Sequence, residues 1–199
     1  SNTDFSSTLA MSDINFTGTL VNKFYLGRST TNTKLVLDED ISIGDEIHIY
    51  MPVEVNGGDR SITASNDNIR FYQTINSDTS ARTLTLDSGN GSVRIDGSVG
   101  NSAPLNNINI TSDQLTAGAI TLNGALTATL GGSSTISGVI ANGASTANLV
   151  KAGNGTLTLS GANTYTGTTA INAGDLTVSG SLHDSTAVSI ASGADYNVN

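Results

Sequence analysis

The sequence predicts an all-β protein folded as a right-handed parallel β-helix, and three observations carry that expectation. A short device recurs through the second half: apolar, polar, apolar, then Asn, Asp, Ser or Thr, and usually Gly. Apolar residues do not recur at helical spacing over any long window, and the abundant Thr, Val, Ile, Ser, Asn and Gly disfavour helix. Finally, the core candidates are small aliphatics on very short strands, with polar residues at fixed places after each one. A sandwich would instead bury large aromatics and join longer strands by Greek-key loops. Stacked coils explain the pattern better, because each coil repeats the one below and tight corners suit Gly and small polar residues.

The elements follow in order. "TLTLDSG" (83–89), "SVRIDG" (92–97), "NINITS" (107–112), "AITLNG" (119–124), "TLTLSG" (156–161) and "DLTVSG" (175–180) all share the device. "AVSIASG" (187–193) and "DYNVN" (195–199) continue it. Period-two alternation sends Leu157 and Leu159 to one side and Thr156, Thr158 and Ser160 to the other. Glycine then ends each strand, since it turns the chain without a steric penalty. Asn-Gly pairs starting at Asn56, Asn90, Asn123, Asn142 and Asn154 mark turns.

Composition bounds the chemistry. The 199 residues fit one large β domain, long enough to bury a core. Only 13% are charged, about half the usual share, so the surface is polar but largely uncharged. A net charge of −9 argues against nucleic acid and anionic membrane surfaces as partners. Without cysteine there is neither a disulfide framework nor thiolate chemistry. No apolar run approaches the length of a membrane span, so membrane insertion by this chain is not expected.

Two textures divide the chain near residue 80. Phe5, Phe16, Phe24, Tyr25, Tyr50, Phe71 and Tyr72 are seven of the nine aromatics, and all precede it. From Gly97 to Gly174 the only charged residues are Asp113 and Lys151. No linker marks the change, so residues 1–80 are expected to be a cap or the first coils of the same β-helix. Residues 81–199 are expected to be its regular coils.

Residues 150–182, "VKAGNGTLTLSGANTYTGTTAINAGDLTVSGSL", resemble the passenger-associated repeat of bacterial autotransporters. Lys151, Gly153, Gly155, Thr156, Leu157, Leu159, Gly161, Asn163, Thr164, Tyr165, Gly167, Thr169, Ile171, Gly174, Leu176 and Val178 carry the resemblance. It departs at Gly167-Thr168-Thr169, where the family has two small residues before its second Thr, and at Gly174-Asp175-Leu176, where the family has GTL. The resemblance covers a sixth of the chain. It implies an exported, surface-exposed β-helical passenger of a Gram-negative bacterium, with the outer-membrane translocator barrel elsewhere in the parent chain. It implies no activity, because a fold does not assign one. Within the repeat, Leu157, Leu159, Ile171, Leu176 and Val178 are expected in the core. Gly153, Gly155, Gly161, Gly167 and Gly174 are expected at corners, and Asn163 at a turn with its amide on the backbone. Tyr165 is expected over a coil edge with a wet hydroxyl.

Candidate chemistry is sparse. His48 and His183 alone can serve as neutral-pH bases, and no nucleophile elbow, phosphate loop or metal-binding helix motif accompanies them. Both read as exposed histidines, His48 on a strand face with Glu46 and Tyr50, and His183 in a loop. Asp38 and Asp40 have the odd spacing of a calcium loop and are the candidate metal ligands, against the default of a solvated acidic edge. No other cofactor is expected. A polysaccharide lyase or hydrolase would have to draw on Asp78, Arg82, Asp87, Arg94 and Asp96. The candidate ligand-binding residues are Tyr25, Tyr50, Phe71 and Tyr72, for which an end cap over the first coil is the competing reading. The expected function is that of a non-enzymatic adhesin or stalk, whose partner is a surface glycan or protein, or a second copy of itself.

Overall fold

A computed structural model describes residues 9–10, 24–27 and 34–199. Phe5 and Phe16 lie outside them. Among the described residues the chain is all β, without a helix, and its strands pair only in parallel. They stack as a β-solenoid of about eight turns. Each full turn visits three sides, as in Leu35–Leu37, Ile41–Ile43 and Ile47–Ile49, after which Val53–Val55 stacks on Leu35–Leu37. One side is an eight-stranded sheet running from Ile41–Ile43 to Val188–Ile190, and another is a nine-stranded sheet from Phe24–Leu26 to Asp195–Val198. The third side is less regular: a four-stranded and a two-stranded sheet meet through isolated bridges at Val99.

Strands stay short because each coil must turn three corners. Register partners in the eight-stranded sheet lie as close as Ile108 with Leu126 and as far apart as Leu84 with Ile108. The variable part sits in the corners, while the strand registers are kept. Alternation decides what points inward, and the same inward position recurs one coil later. Ile41, Ile62, Leu86, Ile110, Ala128, Lys151, Ile171 and Ile190 form one such column. Each buried Leu or Ile in these columns contributes on the order of 1.5–3 kcal/mol.

The ladders cross residue 80 without interruption: Arg60–Ala64 pairs with Leu84–Asp87, and Ile69–Phe71 with Ser92–Ile95. Phe71 belongs to the interior. It is 1% exposed and stands between Ile49 and Ile95, which corrects its reading as a surface ligand contact. The end-cap reading of the aromatics fails as well, because Tyr25, Tyr50 and Tyr72 stand on the outer flank of the nine-stranded sheet.

Candidate ligand-binding face

The outward positions of the nine-stranded sheet form vertical rows, since parallel in-register pairing repeats each position from coil to coil. One row reads Tyr25, His48, Arg70, Arg94, Thr116, Thr135, Thr158, Thr177 and Asn197. Two residues further along each coil, a second row carries Tyr50, Tyr72 and Asp96. The first coils of this sheet therefore gather rings and charges on one face, and the later coils present hydroxyls.

The rings form one cluster. Tyr50 and Tyr72 stack with centroids 4.1 Å apart and planes within 12°. Tyr25 lies 5.0 Å from the His48 ring and 6.2 Å from Tyr50. His48 Nδ1 and the Tyr72 hydroxyl are hydrogen-bonded at 3.1 Å, and His48 Nε2 is 3.4 Å from Glu46 Oε2. His48 is thus half-buried among rings, not the exposed strand histidine expected. Hydrogen bonding with Tyr50, followed by burial, holds the Tyr72 hydroxyl above its ordinary titration range. Tyr25 remains 42% exposed.

The charges lie directly above. The Arg70 guanidinium carbon sits 4.1 Å over the Tyr72 ring, a cation–π contact. Its Nε and Nη2 donate to Asp96 Oδ2 at 2.9 and 2.7 Å, and Arg94 Nε donates to Oδ1 at 2.6 Å. Burial works to raise the Asp96 carboxyl, but the hydrogen bonds from the two arginines outweigh it and hold the group below its usual range.

The remaining candidates fall elsewhere. Asp78 and Arg82 pair at 3.0 Å in the corner after Ile75–Ser77. Asp87 ends its strand by accepting from the Gly89 amide. The five residues considered for sugar cleavage are thereby divided among three places. Asp38 and Asp40 stand in a corner, and Asp40 Oδ1 accepts from the Ser61 amide at 2.8 Å. Among the described residues, no three His, Cys, Asp or Glu side chains come together as a metal site. His183 is exposed in a loop, its Nδ1 accepting from the Ser185 amide.

Residues 149–178 use their polar groups inward. Lys151 is fully buried between Ala128 and Ile171, and its Nζ donates to the carbonyls of Ala152, Gly153 and Ala173 at 2.8–3.1 Å. It joins its own corner to the next coil's. Asn163 spans three coils: Oδ1 accepts from the Ile140 amide, while Nδ2 donates to Gly161 and Ser181 carbonyls, all at 2.9 Å. Tyr165 is fully buried, with its hydroxyl 2.5 Å from Thr169 Oγ1. That corrects the expected wet edge: burial raises its hydroxyl to about 12, and the Thr169 hydrogen bond opposes this in part. Gly153 and Gly174 have φ of +73° and +65°, and a Cβ on Gly155, Gly161 or Gly167 would lie 2.2–2.3 Å from a carbonyl oxygen of the coil before.

Residues 149–178 match the family model of the passenger-associated-transport-repeat. Together with the solenoid, the match fits an autotransporter passenger repeat. Comparison with curated proteins and with solved structures gives no match. The passenger repeat accounts for one coil and part of the next, and its polar signature residues serve coil stacking. On the nine-stranded sheet its outward side chains include Thr158, Ser160 and Thr177.

Two features escaped the sequence reading. The inward place of Lys151 was available from parity, since it alternates in step with Leu149. The Thr116, Thr135, Thr158 and Thr177 column was written as Thr-Ala-Gly, Thr-Ile-Ser, Thr-Leu-Ser and Thr-Val-Ser, one per coil at unequal spacing.

Proposed function

We propose that this chain is a non-enzymatic attachment segment of an exported bacterial surface protein. In this reading the solenoid is a stalk and the outer face of its nine-stranded sheet makes contact. The observation that carries the proposal is the ring cluster of Tyr25, His48, Tyr50 and Tyr72 on the flank of that sheet. Tyrosine supplies large, rigid, amphipathic contact area at low entropic cost, which suits recognition of a surface ligand. The passenger repeat match supports export to the cell surface, and the expected partner is a host or environmental glycan or protein.

Beads coated with the purified chain test this reading. They are expected to be retained on glycan-bearing cells or biofilm surfaces well above albumin-coated beads. Equal retention would contradict attachment. Release of reducing sugar from polysaccharide by the same chain would overturn the non-enzymatic part and favour a polysaccharide-cleaving enzyme.

A further inference from the structure

Arg70 and Arg94 are register partners on adjacent strands, so two like charges stand directly opposite each other, an arrangement that costs stability. One carboxylate, Asp96, serves both. This small group therefore carries a net positive charge in a chain whose net charge is −9. Arg94 commits only Nε to Asp96. Its two terminal nitrogens have no hydrogen bond among the described residues, and its side chain is 50% exposed. The planar fork of a guanidinium fits a second carboxylate in bidentate geometry. Arg70, one strand away, lies over Tyr72, and the ring cluster continues through Tyr50 to Tyr25. On the other side, Thr116 and Thr135 offer exposed hydroxyls in the same row.

We propose that this face binds a polyuronate, with the sugar carboxylate on the free side of Arg94. Sugar rings then lie along Tyr25 and the Tyr50–Tyr72 pair, and Thr116 and Thr135, the two threonines nearest Arg94, receive hydroxyl contacts from neighbouring units. The inference rests on the attachment reading above and adds the ligand class. An acidic glycan is favoured over an acidic peptide because the anion site is continuous with rings on one side and hydroxyls on the other.

The full chain is titrated with polygalacturonate, with neutral dextran and with polyglutamate. Polygalacturonate is expected to bind, more weakly as salt rises, and dextran and polyglutamate far less. Arg94→Gln is expected to weaken polygalacturonate binding by about tenfold or more. Arg94→Lys, which keeps the charge and loses the fork, is expected to restore only part. An unchanged melting curve shows that the exposed substitutions leave the fold intact. Binding of dextran as tight as polygalacturonate, or an Arg94→Gln variant that binds like the parent, would overturn the acidic-ligand assignment. So would tighter binding of polyglutamate. If coated beads attach to cells while polygalacturonate does not bind, the ligand class fails and the attachment reading stands. If neither occurs, both fail.

Discussion

Lys151 and Tyr165 hold the repeat together from inside. Burial keeps the Lys151 ammonium below its ordinary titration range, with Asp175 offsetting part of the effect, and three carbonyls compensate the ammonium with hydrogen bonds. Lys151→Met would leave those carbonyls without their donor and is expected to cost about 1–3 kcal/mol in denaturant unfolding. A gain in stability would mean that the ammonium is a burden the coil merely tolerates. Tyr165 supplies a pH signature. Its folded value of about 12 lies above the unfolded 10, so its contribution is complete below pH 10 and is lost as pH rises through 12. The parent is expected to lose about 2–3 kcal/mol across that window relative to Tyr165→Phe, since a tenfold change in proton affinity is worth about 1.4 kcal/mol. Parallel pH–stability curves for the two proteins would place the Tyr165 hydroxyl in water. The sequence disclosed these residues but not their surroundings. A Tyr in a Gly-rich, polar stretch looks solvent-facing; its hydroxyl partner, Thr169, lies only four residues on across a corner, but the burial of both shows only in the folded coil.

At the scale of strands and corners, glycine columns set how closely coils approach. A Cβ on Gly161 would lie 2.3 Å from the Gly138 oxygen, and one on Gly180 would lie 2.1 Å from the Gly161 oxygen. Gly161→Ala must push two coils apart and is expected to destabilise by at least about 1–3 kcal/mol, read as a lower unfolding midpoint. An unchanged midpoint would show that the corner can yield freely. Alternation made the short strands legible from Leu84 onward, because two inward aliphatics and a closing Gly recur with little interruption. The earlier strands carry the same burial pattern, as in Ile47–Ile49 and Val53–Val55. Their corners hold charges, and Leu35–Leu37, Ile47–Ile49 and Ile69–Phe71 close without a following Gly, so the punctuation is intermittent. Cross-coil rows were hidden for another reason: unequal corner lengths scramble any fixed sequence period.

The whole molecule is a stack in which each coil touches only its neighbours, so stability should be graded along it. The last described coil packs on one side only, and Ile190 and Val198 are 50% and 65% exposed. Amide exchange is expected to be fastest in Val188–Ile190 and Asp195–Val198 and slowest in middle strands such as Ala125–Leu130. Uniform protection would point to a single cooperative unit. The same linear design separates inward from outward chemistry: the repeat buries Lys151, Asn163, Tyr165 and Thr169, while rings and arginines cluster on the outer face of the early coils.

Whether attachment resides on the early outer face is read from bead attachment with two variants. One variant carries Tyr25→Ser, Arg70→Gln and Arg94→Gln on the early face; the other carries Thr158→Asn and Thr177→Asn on the repeat's outer face. With both melting curves matched to the parent, the first is expected to lose attachment and the second to keep it. Retained attachment by the first, or loss confined to the second, would show that the early rings and arginines do not make the contact.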